Sequence, residues 1–457
     1  MKFSIMKKLC AGVAAVIISL SLSACGLKNT ANGSADPHAN DSASCTNKLK
    51  FPYAEKVVVW AWYPQMQKFA DIFNSKHKDV QVCWTNAGQG SPEYTKFNNA
   101  IKAKKGAPDI IQLEYEAMPQ FVAGAQKHLV DLGKYGMNNF KDDYTPGAWS
   151  DVTMGGGEQV YGVPVDQGPF VMYINQTVFD KYNVRVPTTW SEFEEAGKDL
   201  KAAGYKGYLT DWNPSGTAVN ISLFAQTGTK VYSYKASSAD KVGINFDQPG
   251  VKKVLSYWQK LVKEGLSDTT DANTTDWNNQ MLTGNYAAYV QASWLVGYLK
   301  GLKNDTSQKF RVYPAPKWDD STPYVNQGGS AWAVTDQAKD TKVAAKVARE
   351  IFDSDEAQKV AVEEAGLFPT WARMLESGTF KGMKESFFGD QKINEIEGPA
   401  AQAYQGYEFL PFQTYAYDQQ TKAFTKIVKD GGSPDSGVKD LNDTLKQYAK
   451  QQGFALR

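Results

Sequence analysis

Apolar positions fall into four regimes along the 457-residue chain. Residues 9–20 are almost entirely apolar, whereas residues 26–44 carry almost no large apolar side chain. From Val57 onward, short β-branched runs alternate with stretches whose apolar residues recur at helical spacing, and the last hundred residues read mainly as helix. The first such runs predict a strand over 57–62, a helix over 66–77 and a strand over 80–84. A helix over 93–105 follows, stopped by Gly106 and Pro108, and then a strand over 109–113. This β-α-β-α-β order predicts a mostly parallel sheet flanked by helices. Ligands of such sheets bind beyond the carboxyl ends of the strands, which puts Trp62, Tyr63, Gln65, Tyr115 and Glu116 at the rim.

A second extended stretch covers 161–175, punctuated by Pro164, Gly168 and Pro169, as expected of a chain crossing between two bodies. Helices are predicted over 190–203 and 249–264 and a strand over 286–291. A further crossing strand over 311–315, a strand over 331–334 and a helix over 342–352 complete the alternation. The chain shows no internal repeat or heptad array.

The first 25 residues decide the compartment. Lys2, Lys7 and Lys8 precede the apolar run, which is short of the roughly 20 residues a membrane span needs and fits a signal-peptide core. It ends in Leu22-Ser23-Ala24-Cys25, the bacterial lipoprotein pattern, in which residues 1–24 are removed and Cys25 becomes the acylated first residue; an ordinary secretory signal is the alternative. Residues 25–44 then form a flexible tether that holds the body at the outer face of the cell membrane. With Cys10 in the signal and Cys25 acylated, Cys45 and Cys83 remain, and in an oxidising exterior they are read as a disulfide, with two buried thiols as the alternative.

Composition narrows the function. Lys plus Arg total 50 and Asp plus Glu 49, so no basic surface argues for nucleic acid. The 12 Trp, 24 Tyr and 22 Phe fill cores, but such a surplus also suits flat, weakly polar ligands such as sugar rings. The three histidines stand at no ligand spacing from the cysteines, so neither a metal nor a cofactor is expected.

Five segments in order then carry a resemblance. They are Trp60-Ala61-Trp62 followed by Phe69 and Phe73-Asn74; Gly106-Ala107-Pro108-Asp109-Ile110-Ile111; and Tyr161-Gly162-Val163-Pro164 with Met172-Tyr173-Ile174-Asn175 and Val186-Pro187-Thr188-Thr189-Trp190. Gly284-Asn285-Tyr286 ahead of Trp294, and Gly328-Gly329-Ser330-Ala331-Trp332 with Gly366-Leu367-Phe368-Pro369, complete the set. Over roughly residues 53–370 the chain resembles the extracellular sugar-binding proteins of ATP-binding-cassette importers, the group that includes maltose-binding protein. The resemblance implies an α/β, two-lobed periplasmic-binding-protein-like fold, each lobe a mostly parallel sheet flanked by helices. Residues 53–165 with 316–353 would form one lobe and 166–315 with 354–457 the other, closing on a ligand by hinge bending. It also implies a monomer that hands an oligosaccharide to permease subunits.

Sugar sites combine aromatic faces with planar carboxylates and amides that take paired hydroxyls. The resemblance puts such groups at Trp62 and Tyr63, Tyr115 and Glu116, Asp166 and Gln167, Trp212 and Trp294, with Gln327, Gly328 and Gly329 approaching the ligand by backbone. Tyr415 and Tyr417 match loosely a C-terminal region that contributes aromatics. Leu113 and Tyr63-Pro64-Gln65 depart from the maltose-binding pattern, so maltose is not implied. Two rival readings remain. A polyamine or peptide could occupy the same fold, although the rim reads as amides with few acids; a glycosidase would use Asp166 and Glu116 as its carboxylate pair.

Overall fold

The computed structural model describes residues 45–123, 127–271, 274–301 and 308–457. The signal, Cys25 and the tether lie outside the described residues. The body opens with β1 (Glu55–Trp60), α1 (Met66–Lys76), β2 (Val80–Thr85), α2 (Ser91–Ala103) and β3 (Ile110–Glu114). β1 pairs in parallel with β2 on one side and β3 on the other. Both β2 and β3 bury four successive residues, the mark of strands covered on two faces. α1 earns its place through Met66, Phe69, Ala70 and Phe73, an apolar stripe at i, i+3, i+4 and i+7 that is buried on the sheet.

Cys45 and Cys83 are joined in a disulfide, Cα to Cα 5.0 Å. Beside it, Thr46 N–H donates to the Trp84 carbonyl at 2.7 Å, and the Asn47 amide both donates to Val82 O and accepts from Trp84 N–H. The segment at 45–47 thereby covers the outer edge of β2.

The 13-residue β4 (Val163–Asn175) joins the lobes. Its first half pairs with the strand Asn326–Val334, which returns antiparallel between β3 and β4. From Phe170 onward β4 is instead flanked by Ala288–Ala292 and Phe310–Pro314, both antiparallel to it. The second lobe extends this sheet through a Tyr208–Tyr286 bridge toward the Thr210–Asp211 and Ser267–Asp268 pair. The helix Pro249–Lys263 buries Val251, Val254, Leu255, Trp258 and Leu261 in this lobe, and Trp190 packs edge-on against Tyr257 and Trp258.

Two boundaries differ from the sequence expectation. The strand at 310–314 does not cross: it stays beside the second half of β4, and the chain returns only at 326–334. Residues 316–325 remain with the second lobe, where Lys317 bridges Thr189 and Trp318 packs on Trp190. Conversely, the helix Asp355–Glu363 packs on α1, and residues 369–371 bridge Asp166 and Tyr144, so 354–371 accompanies the first lobe. The helices Gln413–Phe424 and Pro434–Gln451 do pack on the second lobe. Local patterning contains no record of which distant strand completes a ladder, and this is why both boundaries moved.

Candidate functional site

The carboxyl ends of β1 and β3 open onto a cleft of about 1210 Å³, larger than the roughly 300–1,000 Å³ usual for small-molecule sites. Trp62, Tyr63, Gln112 and Glu114 line it from the first lobe, and Trp294 from the second. Asp166 and residues 327–330 line it from the two connecting strands.

The Gln112 side-chain carbonyl accepts both the Trp62 and Tyr63 backbone N–H groups, at 2.9 and 3.1 Å, and so sets the turn after β1. Trp62 meets Tyr94 edge-on at 6.0 Å and stays half-buried. The Tyr63 ring is buried against Trp332, and its hydroxyl shares a 2.7 Å hydrogen bond with Ser330 Oγ. Ser330 in turn donates its backbone N–H and its hydroxyl to Asp166 Oδ1, at 2.9 and 2.6 Å. Burial pushes the Asp166 carboxyl up to about 6 against the pull of those two bonds. A chain from Tyr63 through Ser330 to Asp166 therefore fixes the cleft floor on the connecting strands.

Trp294 follows the strand Ala288–Ala292 and donates its indole N–H to Gln327 Oε1 at 2.8 Å. A second-lobe ring is thus oriented by the return strand. Gly328 and Gly329 stand at φ +79° and +106°, where the ladder slips register, and the Asn326 side chain holds the bend by accepting from Gly168 N–H and donating to Gly328 O. A Cβ at 329 would lie 2.6 Å from the Tyr115 ring and 2.7 Å from the Asp166 carbonyl; at 328 the nearest atom is 3.9 Å away. Gly329→Ala is expected to destabilise by roughly 2–4 kcal/mol, backbone strain plus overpacking. Gly328→Ala carries only the backbone part, about 1–2 kcal/mol. Denaturant unfolding of both variants checks the contrast, which equal losses would refute.

Four residues expected at the ligand face elsewhere. Tyr115 is 3% exposed and donates its hydroxyl to Asp166 O at 3.0 Å. Gln167, 2% exposed, donates to Pro369 O and accepts from Thr145. Trp212 is 3% exposed inside the second lobe, its indole N–H bonded to Asn220 Oδ1 at 3.0 Å. Glu116 is half-buried and does not line the cleft; Tyr417, on the Gln413–Phe424 helix, donates to its Oε2 at 2.6 Å. For Gln167 and Tyr115 the physical reason is strand alternation, which turns neighbours to opposite faces; Glu116 and Trp212 are instead held by their partners Tyr417 and Asn220. With Asp166 at the cleft, Gln167 points behind it; with Gln112 and Glu114 at the cleft, Tyr115 points inward. Gln112 and Glu114 were missed, although their i, i+2 spacing at the end of β3 was a usable signal. Glu397 was missed too, and nothing in its neighbourhood along the chain marks it.

Among the described residues the cleft lining holds six carboxylates and two lysines, more acid than the rim residues suggested. Lys300 is paired with Glu385 at 2.7 Å. Burial raises the carboxyls of Glu114 and Asp166 and takes that of Glu397 to about 8. Burial likewise raises Glu93 to about 9, and Asp151 and Glu116 each to about 8. Each raised carboxyl carries no ionisation cost to the fold below its unfolded pKa and destabilises it progressively as pH climbs through its folded value. The thermal midpoint of the free protein should therefore fall from pH 5 to pH 9, and a flat or rising midpoint in a scanning-fluorimetry series would contradict this.

Among the described residues no cluster of His, Cys, Asp and Glu is placed to hold a metal ion, and no helix is long and apolar enough to cross a membrane.

The family described as bacterial extracellular solute-binding protein matches residues 68–387. A lactose-binding protein of Rhizobium radiobacter is 25% identical over 360 residues, covering 75% of this chain and 81% of that protein. A transporter-associated binding protein from B. animalis subsp. lactis, solved with β-1,6-galactobiose, superposes with a TM-score of 0.74 at 31% identity, over 88% of this chain and 100% of that one. The galacto-N-biose/lacto-N-biose I-binding protein of Bifidobacterium longum superposes with a TM-score of 0.75 at 23% identity, over 88% and 99% of the two chains.

Proposed function

The chain belongs to the bacterial extracellular solute-binding proteins, and on that premise we propose that it captures an oligosaccharide in the interlobe cleft and delivers it to the permease of an ATP-driven importer. The observation that carries this reading is the pairing of aromatic and planar polar groups across one cleft. Trp62 and Trp294 stand on opposite lobes, with Gln112, Glu114 and Asp166 beside them. Rings can cover the C–H faces of a sugar while amide and carboxyl oxygens take its hydroxyls. We assign Trp62, Tyr63, Asp166, Trp294, Gln327, Gly328 and Gly329 to the ligand and add Gln112 and Glu114.

Transport follows from closure. A sugar touching both lobes binds the closed form better than the open one, and only that difference can shift the population toward the form a permease selects. The bending positions lie where β4 changes partners, near Pro169 and Phe170, and opposite them at Asn326 to Gly329. Lactose and β-1,6-galactobiose, the sugars of two relatives, both carry a β-linked galactose, and we take β-galactosides as the ligand class.

Family members are non-catalytic binding subunits, and the carboxylate pair that a glycosidase would have used is not assembled, since Glu116 is tied to Tyr417 outside the cleft lining. The alternative reading, a polyamine, would draw on the lining carboxylates, but the sugar-binding relatives do not favour it. A thermal-shift screen against lactose, β-1,6-galactobiose and spermidine separates the two. Ligand at 100-fold over its Kd should stabilise by about 2.7 kcal/mol; a shift with spermidine alone would replace the sugar reading. We also propose that Cys25 is acylated, that residues 25–44 tether the body to the outer membrane face, and that the protein acts as a monomer. Detergent partitioning of the full chain against Cys25→Ser tests the anchor, and equal partitioning would refute it; light scattering tests the monomer.

A further inference from the structure

The helix Asn394–Ala403 lies along β4, and its first turns bring Ile393, Asn394 and Glu397 to the cleft wall. Asn394 is occupied, donating its amide to Phe380 O at 2.8 Å. Glu397 is different. It is 2% exposed, and its Oε1 has no hydrogen-bond partner. Phe368, Phe380 and Ile393 contribute apolar surface to the same cleft. Among the described residues no neighbouring cation or donor offsets the burial that raises its carboxyl.

Such a group weakens the free protein, because a buried oxygen without a partner has given up its water for nothing. A leucine or methionine of similar volume would suit this wall better. The carboxyl makes sense only if the partner arrives with the ligand. We propose that Glu397 is a recognition residue that accepts ligand hydroxyls at the buried wall of the cleft, completing its hydrogen bonds only in the complex. A planar carboxyl with two oxygens matches adjacent hydroxyls on a sugar ring, while an aliphatic side chain there leaves those hydroxyls desolvated and unpaired. Glu397 thus discriminates in favour of a polyhydroxylated ligand over an apolar one. The inference rests on the sugar reading of the cleft.

The experiment titrates the protein, Glu397→Gln and Glu397→Leu with lactose and β-1,6-galactobiose by calorimetry, alongside the thermal midpoint of each free protein. Glu397→Gln is expected to bind at least 10-fold more weakly and Glu397→Leu at least 100-fold, while both free variants melt at or above the parent temperature. That opposition of affinity and stability is what a merely structural role cannot produce. Affinities within twofold of the parent, or melting temperatures that drop in both variants, overturn the assignment. If the parent binds a sugar and only Glu397 proves silent, the inference alone fails. If the parent binds neither sugar, the sugar reading fails and takes the assignment with it.

Discussion

Trp294→Ala should weaken sugar binding by roughly 30- to 1,000-fold, about 2–4 kcal/mol, while the protein stays folded. Two features set the size. The indole is held by its N–H bond to Gln327 Oε1, so little rotamer entropy is lost when a sugar lands on it. It also stands on the second lobe while Trp62 and Asp166 stand across the cleft, so its loss removes contact area and the differential affinity that favours closure. The fold survives because Trp294 is only half-buried and packs at the margin of the apolar cluster that holds Tyr289 and Leu295. Trp294→Phe should fall between the two, keeping a ring but losing the bond to Gln327. Calorimetry with β-1,6-galactobiose is the measurement; a loss under threefold would mean that the ring is not the platform.

Opening the Cys45–Cys83 disulfide has the largest expected effect on stability. The bridge spans a sequence separation of 38, for which the chain-entropy relation gives about 4 kcal/mol. The native side of the balance points the same way. Without the bridge, the bonds from Thr46 and Asn47 to Val82 and Trp84 must hold the segment on β2 alone, and fraying there bares a sheet edge. Cys45→Ala is the better variant than one at Cys83, which is buried in the first lobe. Denaturant midpoints with and without reductant should separate clearly for the parent and coincide for Cys45→Ala. An identical parent midpoint in both conditions would show that the loop contributes nothing.

The two predictions draw on different levels of information. The disulfide was legible from the chain, because the reading that gave Cys10 to a signal and Cys25 to a lipid left Cys45 and Cys83 to pair. Trp294 and Trp212 both offered themselves as platforms, yet only one reaches the cleft. The difference is a matter of which way an indole points: Trp212 turns inward to Asn220, and Trp294 turns out to Gln327. Asn220 and Gln327 come to these rings by different routes, one on the following helix and the other on a strand from the far side of the hinge. At the end of β3, by contrast, information was present and unused, because alternation alone selects Gln112 and Glu114 over Tyr115.

The sequence by itself determined the alternating elements and the α/β class, because apolar periodicity and turn residues act over a few neighbours and leave a local trace; the two lobes were implied by the resemblance to the sugar-binding proteins of importers. The strand-end rule pointed to Trp62 and Tyr63 and the resemblance to residues 327–329, and all of these line the cleft. Only the tertiary structure decided that residues 316–325 stay with the second lobe, that 354–371 return to the first, and that Glu116 meets Tyr417. It alone brought Glu397 to the same cleft as Asp166, 231 positions away along the chain. Those outcomes depend on which distant surfaces exclude water together, and burial against a remote partner is written in no short stretch of sequence.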